Sequence, residues 1–294
     1  MRTRRDFLKQ AAVLTACFGS VRLCSASVFA TQEPKKKMKL GLVTYQWGMD
    51  WDVPTLIANC EKARLSGVEL RVEHAHNVTP KLSAEERKTI AKRFSDSAVT
   101  LVGFGTTCEF HSPNPDTLRK NIEEAKEYVL LSKDCGASGI KVRPNALPRE
   151  VENEKTIAQI ASSLSELGRF STEYGQEIRL EIHGGCAQIP IIKSIIDQVP
   201  EKNVGLCWNC NPEDLDAPGL KDNFASVKNR LSGIIHIRDL ASNTYPTREL
   251  FDLLRTENYD GYLLIEEGDS KLTAEERIRR LGQSSETLAK WQQV

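Results

Sequence analysis

From residue 39 onward the chain alternates, eight times, a short apolar or β-branched run with a longer stretch of helical period, and this alternation constrains the fold more than any other feature. Short runs bounded by turn residues read as strands. The stretches between them, with apolar residues three and four apart, read as helices crossing over to the next parallel strand. The strands fall at 39–45, 67–72, 99–105, 139–143, 178–183, 204–209, 233–238 and 262–266. The helices fall at 53–65, 84–95, 115–135, 156–174, 189–198, 246–257 and 274–291, with a weaker one inside 218–230. Ser83 and Thr273 stand where two helices need caps, while Gly136, Gly139, Gly175 and Gly261 stand where helices stop and the chain turns into a strand. The segment 39–294 has the size of one eight-stranded α/β barrel, roughly 250 residues. A doubly wound open sheet shares the alternation, but no Gly-x-Gly-x-x-Gly follows the first strand, so a nucleotide site gives no reason to prefer it.

The first thirty residues read as a targeting segment. Thr3-Arg4-Arg5-Asp6-Phe7-Leu8-Lys9 has the form of a twin-arginine export signal, and a mildly apolar stretch behind it, interrupted by Arg22, closes on Val28-Phe29-Ala30. The expected organisation is a single (β/α)8 TIM barrel over 39–294, preceded by a twin-arginine signal peptide over 1–30, cleaved after Ala30, and a linker over 31–38. Release into the periplasm follows, with the twin-arginine export machinery as a partner. Leu14-Thr15-Ala16-Cys17 also fits a lipid-attachment site, which leaves anchoring through Cys17 as an alternative. An amphipathic first helix is a third reading. No later stretch reaches the ~18 apolar residues a transmembrane span needs.

Acidic and basic residues balance at 40 each, so no global field draws the chain to nucleic acid or an anionic membrane. Six cysteines beyond the export segment, Cys60, Cys108, Cys135, Cys186, Cys207 and Cys210, are scattered rather than framed as a disulfide scaffold. Cys207-x-x-Cys210 could be a redox or zinc pair, but it sits on a strand and lacks a second pair.

Alternate strand residues point into a barrel, and chemistry gathers at the carboxyl ends of its strands. The fifth strand places Arg179, Glu181 and His183 on one face, and the sixth places Gly205, Cys207 and Asn209 together. The seventh aligns His236 with Arg238, and the eighth aligns Leu264 with Glu266. Carboxylate, amide, imidazole and carboxylate thus recur once per βαβ unit. Buried Glu and His in a barrel interior are costly unless compensated, and one bound divalent ion is the economical compensation.

These motifs resemble the xylose isomerase-like barrel superfamily of sugar isomerases and epimerases, which includes tagatose epimerase, inosose dehydratase and endonuclease IV. The resemblance spans the chain from Leu40-Gly41-Leu42 to Glu266 and is strongest at Leu180-Glu181-Ile182-His183, His236-Ile237-Arg238-Asp239 and Tyr259-Asp260-Gly261-Tyr262-Leu263-Leu264-Ile265-Glu266. It implies one metal ion (manganese, zinc or magnesium) on Glu181, Asn209, His236 and Glu266, with Glu181 and Glu266 also serving as acid/base groups and His183 bonding a substrate oxygen. The implied reaction is proton abstraction beside a carbonyl of a small carbohydrate through an enediolate. One position departs from the family. Asn209, in Cys207-Trp208-Asn209-Cys210-Asn211-Pro212, stands where the family shows Asp, so the site loses a charge but keeps an oxygen donor.

Other polar residues would line the same mouth. Lys141 and Arg143 share a face of the fourth strand and could hold a carboxylate or polarise a carbonyl, or else pair with interior acids such as Glu69. Arg238, His76 and His111 join the expected substrate contacts, and Tyr45, Trp47, Trp51 and Trp208 could stack on a sugar or pack in the core. Two further functions stay open: a lyase or dehydratase acting on keto-sugars or 3-keto-glycosides from the same site, and a noncatalytic carbohydrate-binding barrel. Helix 274–291 could pack on its own barrel or on a neighbour, which leaves a homo-oligomer open.

Overall fold

The structure, a computed structural model, describes residues 36–242, 244–269 and 271–293. The expected export signal, its expected cleavage point and Cys17 lie outside the described residues. Among these residues eight strands alternate with eight α-helices. The strands are β1 (Lys39–Val43), β2 (Gly67–Arg71), β3 (Thr100–Glu109), β4 (Gly139–Arg143), β5 (Glu177–Glu181), β6 (Val204–Cys207), β7 (Ile234–Ile237) and β8 (Tyr262–Ile265). The helices are α1 (Val53–Lys62), α2 (Ala84–Ser95), α3 (Pro115–Asp134), α4 (Asn153–Thr172), α5 (Ile189–Ile196), α6 (Leu220–Val227), α7 (Thr247–Thr256) and α8 (Ala274–Trp291).

The strands lie in the order β6-β5-β4-β3-β2-β1-β8-β7, and the paired neighbours are parallel. Two backbone bonds join the remaining edges: Ser232 N–H donates to the Leu206 carbonyl and His236 N–H to the Trp208 carbonyl, both at 2.8 Å. The sheet is thereby closed into the expected (β/α)8 barrel, and no strand edge is left to pair elsewhere.

Local chemistry explains where elements start. Ser83 with Glu86, and Thr273 with Glu276, form reciprocal capping boxes that satisfy the first N–H groups of α2 and α8. Those two helices accordingly match the ranges read from sequence. Strand ends differ more. β5, β6 and β8 stop at Glu181, Cys207 and Ile265, so His183, Asn209 and Glu266 stand just beyond the ladder. After β5 the cause is Gly184, whose φ of +65° turns the chain out of the sheet. β3 runs the other way, ending four residues later than expected, and carries Glu109 to the mouth. Residues 36–38, read as linker, already pack on the barrel: Met38 is buried, and Lys36 pairs with Asp260 at 2.9 Å. Helix α8 packs on its own barrel through buried Leu281 and Leu288 and through Arg277, whose guanidinium reaches Asp50 at 2.7 Å.

Two apolar regions hold the fold. The larger lies between sheet and helices and includes Leu42, Leu70, Ile140, Leu180 and Ile237. The smaller comprises Val43, Val102, Cys207, Ile234 and Leu264, with Tyr262 against it. It plugs the barrel below the polar end, since Cys207, Ile234 and Leu264 lie two residues before Asn209, His236 and Glu266 on their strands. Arg179, also interior, is tied down by Glu177 Oε2 at 2.7 Å, the Val102 carbonyl at 3.1 Å and Ser138 Oγ at 2.7 Å.

Gly103 makes room for that guanidinium. A Cβ there would lie 2.5 Å from Arg179 Nη1 and 2.6 Å from the Gly139 carbonyl oxygen. A Gly103→Ala substitution is therefore expected to destabilise the barrel by about 1–3 kcal/mol through overpacking, read from the midpoint of urea unfolding. An unchanged midpoint would show that Arg179 relocates without cost.

Candidate active site

Interior positions of five strands converge at the carboxyl end of the barrel. Glu69 comes from β2, Lys141 from β4, Glu181 from β5, His236 from β7 and Glu266 from the residue after β8. Glu69, Lys141, Glu181 and His236 are buried, and Glu266 is partly so. His236 is the hub: its Nδ1 lies 3.4 Å from Glu181 Oε1 and 3.5 Å from Glu266 Oε2, and its Nε2 lies 3.3 Å from Glu69 Oε1. Lys141 Nζ donates to the other Glu181 oxygen at 2.6 Å, so the interior partner of Lys141 is Glu181 rather than Glu69.

Burial opposes a charged imidazole, but Cys207, Glu266 and Glu69 around the ring outweigh it and push His236 well above the usual histidine range. Burial likewise raises the Glu181 carboxyl, and Lys141 and His236 overcome it to hold that group below the ordinary carboxylate range. Glu266 behaves the same way, lowered chiefly by His236. The cluster is thus an electrostatic environment that favours positive charge.

The residues fit a divalent cation. One donor atom each from Glu181, His236 and Glu266 lie within 4.8 Å of one another. Both ring nitrogens of His236 and the Asn209 Oδ1 atom are buried without a hydrogen-bond partner among the described residues, which is costly for groups of this kind unless something else satisfies them. The formal charges agree, because with His236 neutral, as a metal-ligating imidazole must be, three carboxylates against one ammonium leave the deficit that a divalent ion fills.

Above this floor opens a cavity of about 700 Å³, within the range of small-molecule sites. Its walls include Arg71, Lys141, Arg143, His183, Asn209 and Arg238. Arg238 donates to the Glu266 carbonyl oxygen at 3.0 Å and so braces the loop that follows β8. Arg143 pairs with Glu109 at 2.5 Å, Asn145 donates to the same Glu109 oxygen at 2.9 Å, and Asn145 Oδ1 meets His183 Nδ1 at 3.0 Å. This relay fixes the His183 ring, whose charged form burial disfavours. Tyr45 reaches the rim, whereas Trp47 and Trp208 are buried in the core.

The structure thus brings Glu181, His183, Asn209, Glu266, Lys141, Arg143 and Arg238 to one cavity, with His236 beneath. Two expected contacts are not among its walls. His76 spends both ring nitrogens on backbone, Nε2 with the Arg71 carbonyl at 2.8 Å and Nδ1 with Val78 N–H at 3.3 Å. It therefore buttresses the loop after β2. His111 sits beside Glu109, 3.7 Å from its carboxylate, outside the cavity lining. Glu109 and Asn145 were missed in sequence: Glu109 because β3 reads as ending at residue 105, and Asn145 because an Asn after Pro144 reads as a turn. Asn145 does adopt a turn conformation, with φ of +65°, and it also carries the side chain that orients His183. Cys207 and Cys210 are free and buried, and burial raises both thiols above their ordinary value.

The loop bearing Asn209 and Asn211 is anchored from below by Asp214. Its Oδ2 accepts from Asn211 N–H at 2.9 Å and from the Tyr245 hydroxyl at 3.0 Å, and Tyr245 in turn accepts from Trp208 Nε1 at 3.1 Å. Its Oδ1 is buried without a partner among the described residues. Burial, outweighing these hydrogen bonds, pushes the carboxyl up to about 7.

A closed barrel with a carboxylate–imidazole cluster at the carboxyl ends of its strands defines the class. The xylose isomerase-like TIM barrel family model matches residues 57–291, and the chain belongs to that family. No curated protein sequence matches it. Solved structures with the same fold include the IolI protein with a zinc atom, at 17% identity and TM-score 0.73, covering 86% of this chain and 98% of that one. The 3-keto-D-glucoside 4-epimerase YcjR from E. coli aligns at 16% identity and TM-score 0.70, covering 86% and 100%. L-ribulose 3-epimerase aligns at 14% identity and TM-score 0.73, covering 87% and 95%.

The Asp214 environment sets a pH dependence. The folded protein holds its proton to about pH 7, whereas the unfolded chain releases it near the ordinary value of 3.8. The folded state binds more protons across that window, so this group's stabilising contribution is complete below about pH 4 and declines as pH rises toward 7. In urea unfolding, the stability of the wild type relative to Asp214→Asn is expected to fall between those limits. Parallel pH profiles for the two proteins would contradict the assignment.

Proposed function

We propose that this protein is a metal-dependent sugar isomerase or epimerase that moves a proton on a carbon beside a carbonyl, through an enediolate. The observation that carries this reading is the approach of Glu181 and Glu266, from different strands, to one nitrogen of His236 on the floor of an open polar cavity. The shared fold of two epimerases, one acting on a 3-keto-glucoside and one on ribulose by name, supports it.

Glu181, Asn209, His236 and Glu266 are the residues that would hold one divalent ion, and their oxygen and imidazole donors suit manganese, zinc or magnesium. When bound, such an ion supplies electrostatic stabilisation of the negative charge that develops on the substrate oxygens. The remaining chemistry belongs to the chain. One of the two glutamates takes a proton from carbon and later loses it to solvent, and the other, entering as the protonated acid, delivers its own proton to the opposite face or to the neighbouring carbon. Lys141 keeps Glu181 ionised and oriented. His183, held by Asn145, presents its free nitrogen to a substrate oxygen, and Arg143 and Arg238 orient further oxygens. The buried floor limits access of water to the developing charge.

Export belongs to the same proposal, on the strength of the arginine pair before Asp6-Phe7-Leu8-Lys9, with a periplasmic barrel or one tethered through Cys17 as its outcome. Phosphorylated sugars are mainly cytoplasmic, so the expected substrates are free sugars, keto-sugars or glycosides.

The test is proton NMR in deuterated water with a panel of ketohexoses, inososes and 3-keto-glycosides, using metal-loaded protein and a chelator control. Chelator-sensitive exchange of a carbon-bound proton is expected, and Glu181→Gln or Glu266→Gln is expected to slow it about 10²–10⁴-fold. Loss of a leaving group from the same substrate would make the enzyme a lyase. Sugar binding without exchange, despite confirmed metal loading, would identify a noncatalytic carbohydrate-binding barrel.

A further inference from the structure

We infer that Glu69 is a positioning residue for the metal centre, acting through His236 and supplying the negative charge that Asn209 does not. The inference rests on the metal-site reading above. Glu69 is fully buried on β2, and neither of its carboxylate oxygens has a hydrogen-bond partner among the described residues. His236 Nε2 stands against it at 3.3 Å. A carboxylate placed in a barrel interior at such cost needs a compensating charge.

The surroundings are arranged for that contact. Gly105 on β3 leaves the space that the carboxylate fills, since a Cβ there would lie 2.7 Å from Glu69 Oε1. At 3.3 Å the contact between Nε2 and Glu69 Oε1 is close but is not a hydrogen bond as it stands. A ring rotation that aligns the two breaks no hydrogen bond, because neither ring nitrogen makes one among the described residues. Once Nδ1 bears a cation, Nε2 must carry the proton, and an N–H donated to a carboxylate fixes the ring orientation and raises the basicity of the coordinating nitrogen.

Charge explains why a carboxylate is useful at this position. Glu181 and Glu266 supply two negative charges near Nδ1, but Lys141 cancels part of the first, and Asn209 offers only an amide oxygen. Glu69 restores the balance from the far side of the ring. It is not among the residues that line the cavity, so its effect is on the ion and on His236.

The experiment titrates metal-free, refolding-competent protein with Mn2+ alone, following bound ion by electron paramagnetic resonance. A second readout is the His236 Nε2–H resonance of the zinc-loaded protein in 15N-edited NMR. Glu69→Gln, close to isosteric, is expected to weaken Mn2+ binding by about 10–100-fold and to shift that resonance upfield as the charged acceptor is lost. Adding Asn209→Asp to Glu69→Gln is expected to recover most of the affinity, whereas Asn209→Asp alone is expected to gain less. Glu69→Gln binding Mn2+ as tightly as wild type would overturn the inference while leaving the metal reading intact. A wild-type protein that binds no Mn2+ or Zn2+ would overturn both. Should Glu69→Gln fail to fold, Asn209→Asp alone still decides: a large gain in affinity would show a site short of negative charge, against compensation by Glu69.

Discussion

Placing His236 and three glutamates in the interior of a closed sheet is the constraint around which this molecule is organised. Isolated charges in such a place would be prohibitive, and the barrel tolerates them only because each faces an opposite charge or a group that can take one. His236 lies within 3.5 Å of three carboxylates, and Lys141 covers the outer oxygen of Glu181. The same compensation that makes the cluster foldable gives it the donor atoms and charge that suit a cation. A change that neutralises one carboxylate therefore disturbs both the packing of the interior and its electrostatics.

The rest of the barrel supports that cluster from below and from the side. The apolar plug of Val43, Val102, Cys207, Ile234 and Leu264 excludes solvent from underneath, which strengthens every electrostatic contact above it. Loops finish the site. The turn at Gly184 docks under Asn145, so the loops after β4 and β5 are mutually positioned: Gly185 N–H donates to the Asn145 carbonyl at 2.7 Å. Asp214, Tyr245 and Trp208 do the same for the loop after β6. The cavity-facing side chains of His183, Asn209 and Asn211 thus sit on loops whose backbone is held by other buried polar groups.

Much of this was legible from residue order. Period-two alternation placed Glu181, Asn209, His236 and Glu266 on interior faces because a strand has no other option once one face must meet the helices. Capping residues located α2 and α8 to the residue. What could not be read was pairing across strands. Lys141 had several interior acids to choose from, and only the parallel register that sets Lys141 beside Arg179 and Glu181 beside Cys207 brought Lys141 to Glu181. His76 and His111, which follow the second and third strands, were expected to face the site as well, yet the backbone claimed His76, and His111 came to rest outside the cavity lining.

The sequence by itself determined the number of units, the direction of each strand and the face on which each polar residue would lie, because these follow from local periodicity and from the short crossovers that helices permit. Tertiary structure alone decided which charges would meet. Contacts such as Glu69 with His236, or Glu109 with Arg143 and Asn145, join residues dozens to more than a hundred positions apart, and their distances depend on how the closed sheet is tilted and where its strands bulge. Closure fixes those quantities cooperatively for all eight strands at once, so no local stretch of sequence carries them.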